Sequence, residues 1–143
     1  MQTIHDFIRQ NGVTLTSSQT ARNPSMEGGE RMTHWKCKIK CGKASASVVF
    51  SMGSGHNGQP PKAADVLSSM AMDASSAENA KDWQDFAREF GWETTVEDPN
   101  TARIKPNAKA KNIYVACLRE RDHLVKLFGP ARAKELMYET EQL

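Results

Sequence analysis

Two cysteines four residues apart, Cys37 and Cys41, with His34 just before them and Cys117 far along the chain, are the first residues whose types could do chemistry. Zinc ligands must all lie within about 2.3 Å of the metal, and a disulfide needs Cα atoms closer than about 7 Å. On a strand, four residues span about 13 Å, which defeats both. The surrounding sequence reads as a strand, because Trp35, Cys37, Ile39 and Cys41 alternate with His34, Lys36, Lys38 and Lys40. The cysteines are therefore expected in a core, and no metal ligand is assigned. Gly53, Gly55 and Gly58 have the spacing of a dinucleotide-binding loop, but Pro60 and Pro61 delay the helix that would follow. No parallel strand lies downstream to complete the unit, so a turn is expected. His56 in that turn has no nucleophile or orienting acid beside it in sequence. No catalytic residue and no cofactor are expected, and the protein is expected to bind rather than to catalyse.

Charge is more informative. Residues 1 to 62 hold eight basic and three acidic residues, residues 65 to 98 two basic and nine acidic, and residues 101 to 126 seven basic and two acidic. The overall charge of +2 conceals this segregation. Asp65, Glu78, Asp82, Asp85 and Glu89 fall on the polar sides of two expected helices, where they could form a negative field for a basic protein partner. The opposite reading uses the strand lysines Lys36, Lys38 and Lys40 with Lys105, Lys109 and Lys111 of an expected loop as a nucleic-acid-binding surface.

The elements that must position these residues are legible in outline. Thr3 and Asp6 frame a capped helix that ends at Gly12. Val13 and Leu15 open a first strand, and residues 23 to 31 read as a connecting loop. Strand 34 to 41 turns at Gly42 and Lys43 into a third, in which Ala46, Val48, Phe50 and Met52 alternate with serines. Four helices follow. Ala63, Val66, Leu67, Met70 and Ala71 mark the first, and Trp83, Phe86, Ala87 and Phe90, expected to be mostly core, the second. Ile113, Cys117, Leu124 and Phe128 mark the third, and Leu136 and Met137 the fourth. The expected fold is α+β: a three-stranded antiparallel sheet packed on helices, α-β-β-β-α, with additional C-terminal helices. Its expected organisation is a core over 1 to 92, a long loop over 93 to 111 and a helical hairpin over 112 to 143. A composition 38% apolar and 25% charged is that of a folded globular chain. Three cysteines cannot all pair within it, and the opening residues lack the basic start and apolar run of a signal peptide. A cytoplasmic location is expected.

Two resemblances follow from these residues. His34-Trp35-Lys36-Cys37, Phe50-Ser51-Met52-Gly53-Ser54-Gly55-His56, Asp73-Ala74-Ser75 and Phe86-Ala87-Arg88-Glu89-Phe90-Gly91 resemble a family of small accessory proteins of bacteriophages and prophages. That resemblance implies a mobile-element setting inside a bacterial cell. The family implies no particular activity, but small accessory proteins in that setting often neutralise host defences, so a non-catalytic inhibitor of a host defence protein, such as a CRISPR-Cas subunit, is expected, with the acidic helices as its binding face. The order α-β-β-β-α is similar to the double-stranded-RNA-binding domain, whose last helix begins with a lysine cluster that grips phosphates. Here the matching stretch, Gln59-Pro60-Pro61-Lys62-Ala63-Ala64-Asp65, keeps Lys62 as its one cation.

Overall fold

A computed structural model describes residues 1–20, 25–27, 30–53, 59–90 and 108–143. In chain order the elements are β1 (Gln2–Thr3), α1 (Ile4–Asn11), β2 (Val13–Gln19), β3 (Ser25–Glu27), β4 (Glu30–Cys41), β5 (Ala44–Gly53), α2 (Ala63–Asn79), α3 (Trp83–Glu89), α4 (Ala108–Phe128), α5 (Pro130–Tyr138) and β6 (Thr140–Glu141). The α+β class is as the sequence implies: among the described residues there are three long antiparallel strands, with β4 central between β2 and β5, and five helices. Among the described residues no helix is long and apolar enough to cross a membrane.

Local chemistry explains the boundaries. The Asp6 amide donates to Thr3 Oγ1 and the Thr3 amide to Asp6 Oδ2, both at 3.2 Å, so two amides that would lack partners at the start of α1 are satisfied reciprocally. These bonds hold the Asp6 carboxyl below its usual range, with help from Arg9. Gly12 closes α1 at φ +64°, a conformation that costs a residue with a Cβ. At the other end of the sheet's central hairpin, Cys41 and Ala44 are register partners joined through Gly42 at φ +59°.

Strand register sorts side chains by face. Trp35, Cys37 and Ile39 of β4 and Ala46 and Met52 of β5 are buried, while Val48 and Phe50 are half-buried against the same core. Two helices cover that face: α2, which buries Val66, Leu67, Met70, Ala71 and Ala74 and packs on α1, α4 and α5, and α4, which lies against β5 and β4. Leu124, Leu127, Ala133 and Leu136 from the last two helices join the same core, so the C-terminal hairpin shares the core of the sheet. A second small cluster forms where Phe86 of α3 meets Ala77 and Cys117.

Several expectations need correction. Residues 23 to 31 are more than a loop: Ser25–Glu27 forms β3, paired antiparallel with the start of β4. Glu27 and Glu30 are register partners at the end of that pairing. Helix α4 begins at Ala108, so Lys109 and Lys111 are helical; they belong to no loop. Phe90 is 46% exposed and Trp83 half-buried, because α3 ends at Glu89 and only its Phe86 and Ala87 side faces the core. Parallel pairing does occur, between the two-residue segments β1 and β6, outside the main sheet. It ties the chain ends together, and Gln2 Nε2 donates to Glu135 and Thr140. Cys37, Cys41 and Cys117 are all free thiols.

Candidate phosphate-binding face and the adjoining helix cleft

The solvent face of the sheet is built by the same alternation that fills the core. Pairing of β2 with β4 and of β4 with β5 aligns Thr14, Lys40 and Ser45 in one row across the strands, Thr16, Lys38 and Ser47 in the next, and Ser18, Lys36 and Val49 in the third. The three lysines are exposed, lie on one strand and follow each other at intervals of about 7 Å. Among the described residues none of them takes part in an ion pair. Mutual repulsion across about 7 Å of water costs only about 0.6 kcal/mol per neighbouring pair before salt screening. The fold tolerates the array easily and gains nothing from it; ordinary solvated faces interleave both signs. A groove of about 460 Å³ runs over Thr16, Ser18, Lys36, Lys38, Ser47 and Val49.

Val49 is 68% exposed and also walls a second cleft, of about 650 Å³, between β5, α2 and α4. One stripe of α4 lines it, Lys109, Asn112, Ile113, Ala116, Cys117 and Glu120, with Asp73 of α2 opposite. Eleven residues of helix separate Lys109 from Glu120, a rise of about 16 Å, so the cleft has a cationic end and an anionic end. At the anionic end Glu120 Oε2 is buried without a hydrogen-bond partner, and so is His123 Nδ1, which stands 3.8 Å from Glu120 Oε1. Burial, then the nearby Asp73 charge, push the Glu120 carboxyl up to about 7 against the pull of Arg119. Burial and the neighbouring Arg119 and Lys126 hold His123 below its usual range. Burial, Asp73 and Glu120 together push the Cys117 thiol up to about 12, which leaves it protonated and a poor nucleophile at neutral pH. Among the described residues no group of three or more histidine, cysteine or acidic side chains is placed to hold a metal ion.

Three of the acidic residues that sequence analysis groups together, Asp65, Asp82 and Asp85, have separate local partners. Asp65 accepts from the Lys62 amide at 2.9 Å and caps α2. Asp82 caps α3, accepting from the Gln84 and Asp85 amides at 2.9 Å each, and Asp85 pairs with Arg88 at 2.7 Å. Glu78 borders a shallow hollow with Arg121 and Lys126 of α4. On α2, Asp73 and Glu78 point about 140° apart, so that helix has no single acidic face. Asp82, Asp85 and Glu89 do share one side of α3, at i, i+3 and i+7. Asp82→Ala should lower stability by about 1 kcal/mol in urea unfolding, and Asp82→Asn should retain most of it because an amide oxygen also caps. Equal stability of Asp82→Ala and the parent would remove the capping role.

Lys36, Lys38 and Lys40 are thus brought together, and Val49 connects them to Lys109; Lys111 is exposed on the same helix turn, and Lys105 lies outside the described residues. Glu120 and His123 were not singled out from sequence, although Ile113, Cys117, Glu120 and Leu124 fall at i, i+4, i+7 and i+11. That spacing puts a carboxylate on the apolar stripe of α4. Comparison with protein-family models, curated proteins and solved structures returns no match. The chain is an α+β protein with helices covering one face of an antiparallel sheet, and its function is argued from its own surfaces.

Proposed function

We propose that the protein is a nucleic-acid-binding module whose outer sheet face grips a sugar–phosphate backbone. The observation that carries this reading is the row of Lys36, Lys38 and Lys40 with no acidic partner among the described residues, flanked in register by Thr14, Thr16, Ser18, Ser45 and Ser47. Lysines spaced at about 7 Å match the repeat of phosphates along a polynucleotide strand, and hydroxyls donate to phosphate oxygens. No aromatic side chain stands in these rows, so contact is with the backbone and sequence-independent. The likeness to double-stranded-RNA-binding domains rests on the order α-β-β-β-α, which here, with the short β1 and β3 set aside, is α1, β2, β4, β5, α2. There the gripping residues open the last helix, whereas here the basic surface is the opposite side of the molecule's sheet.

Three phosphates neutralised imply that affinity falls roughly 20- to 40-fold between about 50 and 200 mM salt. Fluorescence anisotropy with a labelled oligonucleotide measures this. The Lys36→Gln, Lys38→Gln, Lys40→Gln triple variant should lose most of the binding and flatten the salt dependence, with its fold checked by circular dichroism because lysine stems also cover apolar surface. Unchanged binding in a folded triple variant would remove the proposal.

A second reading, an inhibitor of a host defence protein of the CRISPR-Cas kind, draws on the Asp82, Asp85 and Glu89 side of α3 beside the exposed Phe90. Under it, lysine substitutions at those three positions would abolish capture of a basic protein partner and the strand variants would not.

A further inference from the structure

We infer that the ligand is single-stranded, and that its backbone leaves the lysine row at Lys36, crosses the edge of β5 over Val49 and delivers one nucleotide into the cleft beside α4. This rests on the proposed function of the sheet face.

Continuity of the surface is the first argument. Lys36 and Val49 are register partners on the outer face, with side chains about 5 Å apart at Cβ. Val49 then walls both the groove on the sheet and the cleft of α4, so among the described residues the two share a border. Beyond it stands the exposed Lys109, the next cation along the path.

Stiffness and size select the strand. A path that runs along a flat face and then turns over its edge bends within a few nucleotides. Duplex DNA, with a persistence length of about 150 base pairs, resists a bend that sharp. A single strand bends freely and can turn one base away from its neighbours. The cleft, about 650 Å³ and about 16 Å long, is of the size that holds one nucleotide.

Polarity of the cleft orients that nucleotide. Phosphate belongs at the Lys109 end, since Glu120 and Asp73 repel it from the other. The base then lies along Ile113 and Ala116, apolar contacts, with Asn112 available to its edge. At the far end Glu120 Oε2, buried and without a partner, is an acceptor that the N–H groups of amino-bearing bases complete.

The test compares a labelled single strand of about 12 nucleotides rich in adenine and cytosine with the corresponding duplex, at about 100 mM salt. The single strand should bind at least about tenfold more tightly. Lys109→Ala and Asn112→Ala, both at exposed positions, should each weaken single-strand binding by about three- to tenfold. A strand of about four nucleotides, which reaches only the lysine row, should be indifferent to both. Equal affinity for duplex and single strand, or no effect of Lys109→Ala and Asn112→Ala where Lys38→Gln still weakens binding, would overturn the inference and leave the lysine row in place. Absence of binding to every probe would overturn the inference and the proposed function together.

Discussion

Replacing Phe7 with alanine should lower stability by about 3–5 kcal/mol, the usual cost of deleting a large aromatic ring from a close-packed core. Phe7 is 0% exposed, and its ring stands edge-on to Phe128 with centroids 5.0 Å apart and planes at 84°. The eight residues of α1 are too few to hold a helix in water alone, so this helix exists through its packing on α2 and β2. Phe7 is the largest buried side chain of that helix and stands against Phe128 in the last turn of α4, the helix whose first half lines the cleft. Small domains have only about 5–15 kcal/mol in total, so the variant should sit near its unfolding midpoint at modest urea concentrations. Phe7→Leu, which keeps most of the volume, should lose much less. A loss below about 1 kcal/mol for Phe7→Ala in urea titration would show that α1 is not part of the cooperative core.

Much of this arrangement is legible in residue order because its causes are local. The alternation of Trp35, Cys37 and Ile39 with Lys36, Lys38 and Lys40 fixes both faces of β4 at once, and the pairing with β2 and β5 follows from the same period. Thr3 with Asp6, Gly12 and Gly129 with Pro130 each mark a helix end through a conformation or bond made within a few residues. What escaped has causes remote in sequence. The pairing of Gln2–Thr3 with Thr140–Glu141 is a contact between chain ends that no local pattern encodes. Phe90 lies at the right helical spacing for a core position, yet α3 stops one residue before it. Counting acids gave the negative charge of residues 65 to 98 correctly, but charge counts are blind to partners. Asp65 and Asp82 spend their oxygens on helix amides and Asp85 on Arg88. The lysine row was visible as residues; its continuity with Lys109 through Val49 depends on where α4 lies against β5.

Glu120→Gln should stabilise the protein by about 3 kcal/mol at pH 8 and leave it nearly unchanged at pH 4. In the folded chain the Glu120 carboxyl titrates near 7 and in the unfolded chain near 4.5. A raised acid favours its protonated form in the fold. The stability this confers is fully present below pH 4.5 and is lost as the pH climbs through 7. A difference of about 2.5 units corresponds to about 3 kcal/mol. The physical source is the buried Oε2, which loses water on folding and receives no donor in return. Asp73, whose carboxyl is also raised by burial, acts in the same direction, but much of its surface is exposed and solvent screens its share. His123 acts in the opposite direction: its folded value is depressed below 6.5, so its contribution is present above 6.5 and lost as the pH falls further. The parent protein should therefore lose stability from pH 4.5 towards pH 7 less steeply than Glu120 alone would dictate. Glutamine keeps the shape of the side chain and has no charge to bury, so the variant should be free of the Glu120 loss and keep only the screened Asp73 share and the opposing histidine trend. Urea unfolding of parent, Glu120→Gln and the exposed Glu89→Gln control at pH 4 and pH 8 separates these effects. A stability gain in Glu120→Gln that is the same at both pH values would mean that the buried carboxylate is not the titrating group.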